Sequence, residues 1–135
     1  MREISYRAIS MCRGEGLVYG QPRHYARNPH TEKWTIYDPT TGIETDIVEE
    51  TLGQYTGLTD KNGTKIFEGD ILSTNSTVLS KLIVHWFERC GGFFLSNNKD
   101  IEASSLTPIY SANLYKYVVI GNIYDNLELP KGGER

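Results

Sequence analysis

The sequence predicts an all-β protein with few, short helices, and three observations carry that prediction. Apolar residues recur with a period of two in short runs. Turn-forming residues interrupt these runs every ten residues or so, the rhythm of a sandwich or barrel. No window sustains apolar residues at i, i+3, i+4 and i+7 over three turns, so amphipathic helices are scarce. Nine tyrosines in 135 residues agree, because aromatic rings suit a pleated surface. A chain of that length buries a core without a metal or disulfide staple.

The elements follow in order. Ile4, Tyr6 and Ala8 alternate with Glu3, Ser5 and Arg7, which predicts a first strand with one apolar face. Residues 21–34, with Pro22 and Pro29, suit a loop. Trp34 and Ile36 alternate with Thr35 and Tyr37; after the turn Pro39-Thr40-Thr41-Gly42, Ile43, Thr45 and Ile47 alternate in the same way. Val48 to Leu52 is the best short helix, and Ser104 to Ala112 a poor one because of Pro108. Asp60-Lys61-Asn62-Gly63 contains the Asn-Gly pair of a tight hairpin. Asp70 to Ser73, Leu82 to Phe87 and Phe93 to Leu95 are further strands, with Gly91-Gly92 turning between the last two. Tyr117 to Ile120 is nearly continuous in apolar residues and predicts a central strand covered on both faces. Residues 130–135 are expected to fray.

Three groups of residues carry a family resemblance. The central group is Gln54-Tyr55-Thr56-Gly57-Leu58, Asp60-Lys61-Asn62-Gly63 and Ile66-Phe67-Glu68-Gly69-Asp70-Ile71. The second is Val119-Ile120-Gly121-Asn122-Ile123-Tyr124-Asp125-Asn126 with Glu128-Leu129, and the third is Arg2, Ile4, Arg7 and Ala8. Together they resemble the YopX family of phage and prophage proteins. The resemblance implies a phage or prophage gene product, a β-rich fold and self-association, and it brings no catalytic residues. The aromatic–acid pair that often follows the first strand in that family is Ile9-Ser10 here.

Physically, the motif residues are expected to be architectural. Glu68-Gly69-Asp70-Ile71 puts a glycine in the turn before a strand, as in SH3-like barrels, a likeness of fold and not of function. The expected organisation is a β-rich portion over 1–53 packed on an SH3-like barrel over 54–129, with 130–135 as a tail.

Net charge is −3 and the pI is near 5.6, which disfavours nucleic acid and anionic membranes as partners of the whole surface. The distribution is uneven: residues 1–37 hold six Lys/Arg against three acids, and residues 38–70 hold two against eight. The chain opens without an apolar signal segment and has no run long enough to span a membrane, so a cytoplasmic location with Cys12 and Cys90 reduced is expected.

Candidate chemistry is sparse. Glu68 and Asp70, at i and i+2, face one way in an extended segment and can hold a divalent cation or act as acid and base; a turn-capping Asp70 and a solvated Glu68 compete with that. Cys90 and His85 suggest a thiol and its base, but an offset of five on a strand sends them to opposite faces, and a buried cysteine is expected instead. His24, His30 and His85 with two distant cysteines have no metal-ligand spacing, and no phosphate-loop, nucleophile-elbow or dinucleotide motif occurs, so neither metal nor cofactor is expected. Arg23, Tyr25, Arg27, Lys33 and Trp34 interleave cations with rings, the pattern of single-strand nucleic-acid binders. The expected function is therefore non-enzymatic: self-association or docking on a phage or host protein. Single-strand binding through 21–34 is the alternative, and metal-dependent hydrolysis at Glu68 and Asp70 a third.

Overall fold

The computed structural model describes residues 3–12, 14–26, 32–74, 81–96, 107–111 and 114–124. The chain divides into two compact units, Met1–Tyr55 and Thr56–Arg135. Strand pairing is antiparallel, and helical structure among the described residues is limited to single 3₁₀ turns. No helix among them is long and apolar enough to cross a membrane.

In the first unit, β1 (Tyr6–Ile9), β2 (Leu17–Ala26), β3 (Glu32–Asp38) and β4 (Ile43–Asp46) form a meander in the order β4-β3-β2-β1. The first residues of β5 (Gly53–Thr59) pair with β1 through Tyr6↔Gln54 and Arg7↔Gly53. The β3–β4 turn is set by Asp38: its Oδ1 accepts the Thr40 N–H at 2.9 Å, and its carbonyl accepts the Gly42 N–H at 2.7 Å. After β4 the chain returns to the start of the meander. Ile47 N–H donates to the Trp34 carbonyl, Val48 N–H donates to the Ile9 carbonyl, and Ser10 bridges Ile47. Inside this curl lie Ala8, Ile36 and Ile47, flanked by Tyr6, Val18, Trp34 and Leu52. The short helix expected over Val48 to Leu52 is a single 3₁₀ turn at Glu49–Thr51, tied down by the buried Thr51 hydroxyl, which accepts the Ile9 N–H and donates to the Val48 carbonyl.

Much of the loop expected over 21–34 is strand. β2 is ten residues long, and its register with β3 runs from Gln21↔Tyr37 to Ala26↔Glu32. Pro22 is tolerated because β1 pairs with β2 only as far as Gly20, so beyond that point one side of β2 has no neighbouring strand among the described residues. Gly20 is required by close approach: a Cβ there would sit 2.1 Å from the Tyr37 carbonyl oxygen.

In the second unit, β5 turns through Asp60–Gly63 into β6 (Lys65–Phe67). A five-stranded sheet follows in the order β10-β9-β8-β7-β11, built from β7 (Asp70–Thr74), β8 (Leu82–Phe87), β9 (Gly92–Ser96), β10 (Thr107–Pro108) and β11 (Tyr117–Asn122). Its core is Ile66, Leu72, Val84, Leu95 and Ile109, with Leu58, Leu82, Phe93, Leu114, Tyr117 and Val119 against it.

Three expectations change here. The sheet is open: the two-residue β10 and β11 are its edges, and no ladder joins them among the described residues, so the closed SH3-like barrel expected over 54–129 is not formed. β11 is an edge strand paired with β7, not a central one. The weak helix around Pro108 is β10 followed by a 3₁₀ turn at Ile109–Ser111. The tail over 130–135 lies outside the described residues.

Candidate binding site

The motif residues of the second unit meet at one junction. Asp60, 6% exposed, accepts N–H groups from Asn62 at 2.8 Å and Thr64 at 2.9 Å on Oδ1, and from Val119 at 2.9 Å on Oδ2. Lys61 N–H donates to the Tyr117 carbonyl at 3.1 Å. Burial pushes the Asp60 carboxyl up, but backbone N–H groups of Val119, Thr64, Asn62 and Gly63 outweigh it and hold the carboxyl below its ordinary value. Gly63, at φ 84°, completes the turn. Nearby, Gly69 N–H donates to the Val84 carbonyl, and the Gly69 carbonyl accepts from Ile123 N–H. Gly69 has φ +92°, and a Cβ on it would meet the Tyr124 ring at 2.7 Å. Asn122 Oδ1 accepts the Tyr124 N–H, and Gly121 follows the bulge in β11.

Other motif residues are placed by the same backbone logic. Thr56 Oγ1 donates to the Ile66 carbonyl and accepts the Leu58 N–H, bracketing Gly57 at φ 88°. Tyr55 is buried, its N–H donating to the Ser5 carbonyl, and Gln54 faces Tyr6 across the ladder. Asp70 is 1% exposed and its Oδ2 accepts the Phe67 N–H at 2.8 Å; Glu68 is half-buried. Among the described residues, no group of three His, Cys, Asp or Glu side chains is placed to hold a metal ion.

The basic and aromatic residues of β2 and β3 divide between two faces. Arg23, Tyr25 and Lys33 share one, because Tyr25 pairs with Lys33 and Arg23 with Thr35. Trp34 points the other way, against the Ala8-Ile36-Ile47 core, and stacks on His24 with ring centroids 4.5 Å apart. Arg27 and His30 lie outside the described residues. The two described cations are matched by acids of β4: Arg23 to Glu44 at 3.3 Å and Lys33 to Asp46 at 3.4 Å. Glu44 also accepts from the Thr35 hydroxyl at 2.6 Å and the Tyr25 hydroxyl at 2.5 Å. Those two hydrogen bonds, with Arg23 and Lys33 nearby, hold its carboxyl below its ordinary value.

Both cysteines are exposed, which corrects the expectation of a buried Cys90. Cys90 sits in the β8–β9 turn, where its N–H donates to the Phe87 carbonyl; a turn residue has no core face to occupy. His85 is half-buried on β8 opposite Phe94.

The sequence did not point to a cavity of about 280 Å³ at the mouth of the curled meander. Leu17, Val18, Ile36 and Ile43 form its apolar walls, and Glu15 and Asp38 stand among its polar lining. Ile43, on edge strand β4, is 59% exposed, whereas Ile36 at the base is 1% exposed. Glu15 Oε1 accepts the Ser10 hydroxyl at 2.6 Å, so Ser10 holds the β1–β2 turn against the cavity. The available signal was weak: an apolar residue, Ile43, directly after a four-residue turn.

An open, two-unit, all-β architecture with these converging motifs defines the class, and the chain belongs to the YopX family. The family model, described as YopX protein, matches residues 5–131. Among solved structures, the crystal structure of protein EF1440 from Enterococcus faecalis is similar, with a TM-score of 0.53 and 21% identity over 96% of this chain and 99% of that one. At that identity the likeness is one of fold. No curated protein matches the chain.

Proposed function

We propose that this YopX-family chain is a phage or prophage accessory protein that acts by binding, docking a protein partner through the cavity of its first unit. The observation that carries this is the cavity itself: apolar walls, a buried base at Ile36 and an exposed isoleucine on an edge strand beside it. Exposed apolar side chains around a concavity are how soluble proteins take up a partner's side chain. Two other observations favour binding over catalysis. Asp60 and Asp70 accept backbone N–H groups, the work of turn-holding acids. Arg23 and Lys33 are matched by Glu44 and Asp46, which lowers the support for single-strand nucleic acid.

The test is a peptide array covering random sequences, probed with the wild-type chain and with Ile43→Asn. Retained peptides that the variant loses support docking at the cavity. An array with no retained peptide, or one on which both proteins retain the same set, overturns it. Sedimentation of both proteins over a concentration series separates self-association: a dimer that Ile43→Asn abolishes makes the partner a second copy of the chain.

A further inference from the structure

Resting on the docking proposal, we infer that the occupant of the cavity is an aliphatic side chain ending in a cation, a lysine or arginine of the partner. The apolar part of the argument is the wall of Leu17, Val18, Ile36 and Ile43, which suits a methylene stem. The polar part is charge. Among the described residues, the lining includes two carboxylates, Glu15 and Asp38, and no cation. Each carboxylate is held in place by one oxygen: Glu15 Oε1 by the Ser10 hydroxyl and Asp38 Oδ1 by the Thr40 N–H. Among the described residues, neither Glu15 Oε2 nor Asp38 Oδ2 accepts a further hydrogen bond. The site therefore sets two carboxylates, each anchored through one oxygen, beside apolar walls, which complements an ammonium or guanidinium on a hydrocarbon stem. A neutral apolar side chain would fill the walls and leave both charges unmatched.

The experiment is an amide-resolved NMR titration of the intact chain with N-acetyl-lysine methylamide, N-acetyl-arginine methylamide and the neutral N-acetyl-norleucine methylamide. The expected result is saturable shifts at Val18, Ile43 and Thr45, with the cations binding about fivefold or more tightly than norleucine. Cation affinity should fall with added salt while norleucine affinity stays constant. Glu15→Gln and Asp38→Asn keep the oxygen that accepts from Ser10 or Thr40, so both should fold and lose the preference for cations. Equal affinity for lysine and norleucine overturns this inference and leaves docking standing. No saturable shift at these amides with any of the three overturns both. If either variant misfolds, the salt series on the wild-type chain decides between the first two outcomes.

Discussion

Asp60 shows how much one carboxylate does in this fold. It closes the β5–β6 turn on Oδ1 and reaches Val119 of β11 on Oδ2. Asp60→Ala leaves those N–H groups without their acceptor and should lower the stability of the second unit by about 2–4 kcal/mol, measured by urea denaturation. The same residue sets an acid limit. Its folded carboxyl lies below the ordinary value of 3.8, so its contribution is complete above that pH and is lost as pH falls through the depressed value. Asp60→Asn should flatten the stability profile in this window. Gly69 offers a second residue-scale test. Gly69→Ala meets both a φ of +92° and the Tyr124 ring, and should cost about 1–3 kcal/mol. Adding Tyr124→Ala should return only the part due to the ring, which a double-mutant cycle reads directly.

Among the elements, the face formed by β2, β3 and β4 is a lattice of paired charges. Arg23 lies over the Tyr37 ring at 4.2 Å while bonded to Glu44, and Lys33 reaches both Asp46 and the Tyr25 ring. Glu44→Gln/Asp46→Asn removes the partners and leaves the cations. Its binding to single-stranded DNA should exceed wild type at low salt, with a log–log salt slope steeper by about 1.4 for the two freed cations. Equal binding by the two proteins would show that the acids do not mask this face. This scale is also where the sequence was hardest to interpret. The Asn62-Gly63 and Gly91 turns were legible because positive φ is a local demand. β2 was not, because Gly20-Gln21-Pro22-Arg23-His24 lacks alternation and is held as strand by its register with β3. β11 was legible as a strand but not as an edge, since an apolar run does not encode how many neighbours it has.

For the molecule as a whole, each unit carries its own core and its own tryptophan, Trp34 in the first and Trp86 in the second. Trp34 packs on the first core, and Trp86 meets Phe93 edge to face at 5.0 Å. Trp86→Phe and Trp34→Phe therefore give single-tryptophan proteins that report the units separately. Gly20→Ala, which forces a Cβ against the Tyr37 carbonyl, should shift the Trp34 fluorescence transition by the equivalent of about 1–3 kcal/mol. The candidate site belongs to this scale as well. Its residues come from 15–19, 36–38 and 41–45, three stretches that only the curl of the meander assembles. The motifs drew attention to the second unit because their residues are consecutive; the cavity is in the first.

The bond from Val119 to Asp60 spans 59 residues, and that separation fixes an order of events during synthesis. At about 5–20 residues per second, Asp60 leaves the peptidyl-transferase centre roughly 3–12 s before Val119 is made. The pairing among β1 to β4 needs nothing beyond Val48, so the first unit can complete its meander while the carboxylate of Asp60 is still in water. Until β11 arrives, that carboxylate can hold its own turn but not the strand it will anchor. The second unit is thus sealed by the last described strand to be translated. A ribosome stalled before residue 119 would display a finished amino-terminal unit followed by an unlatched sheet.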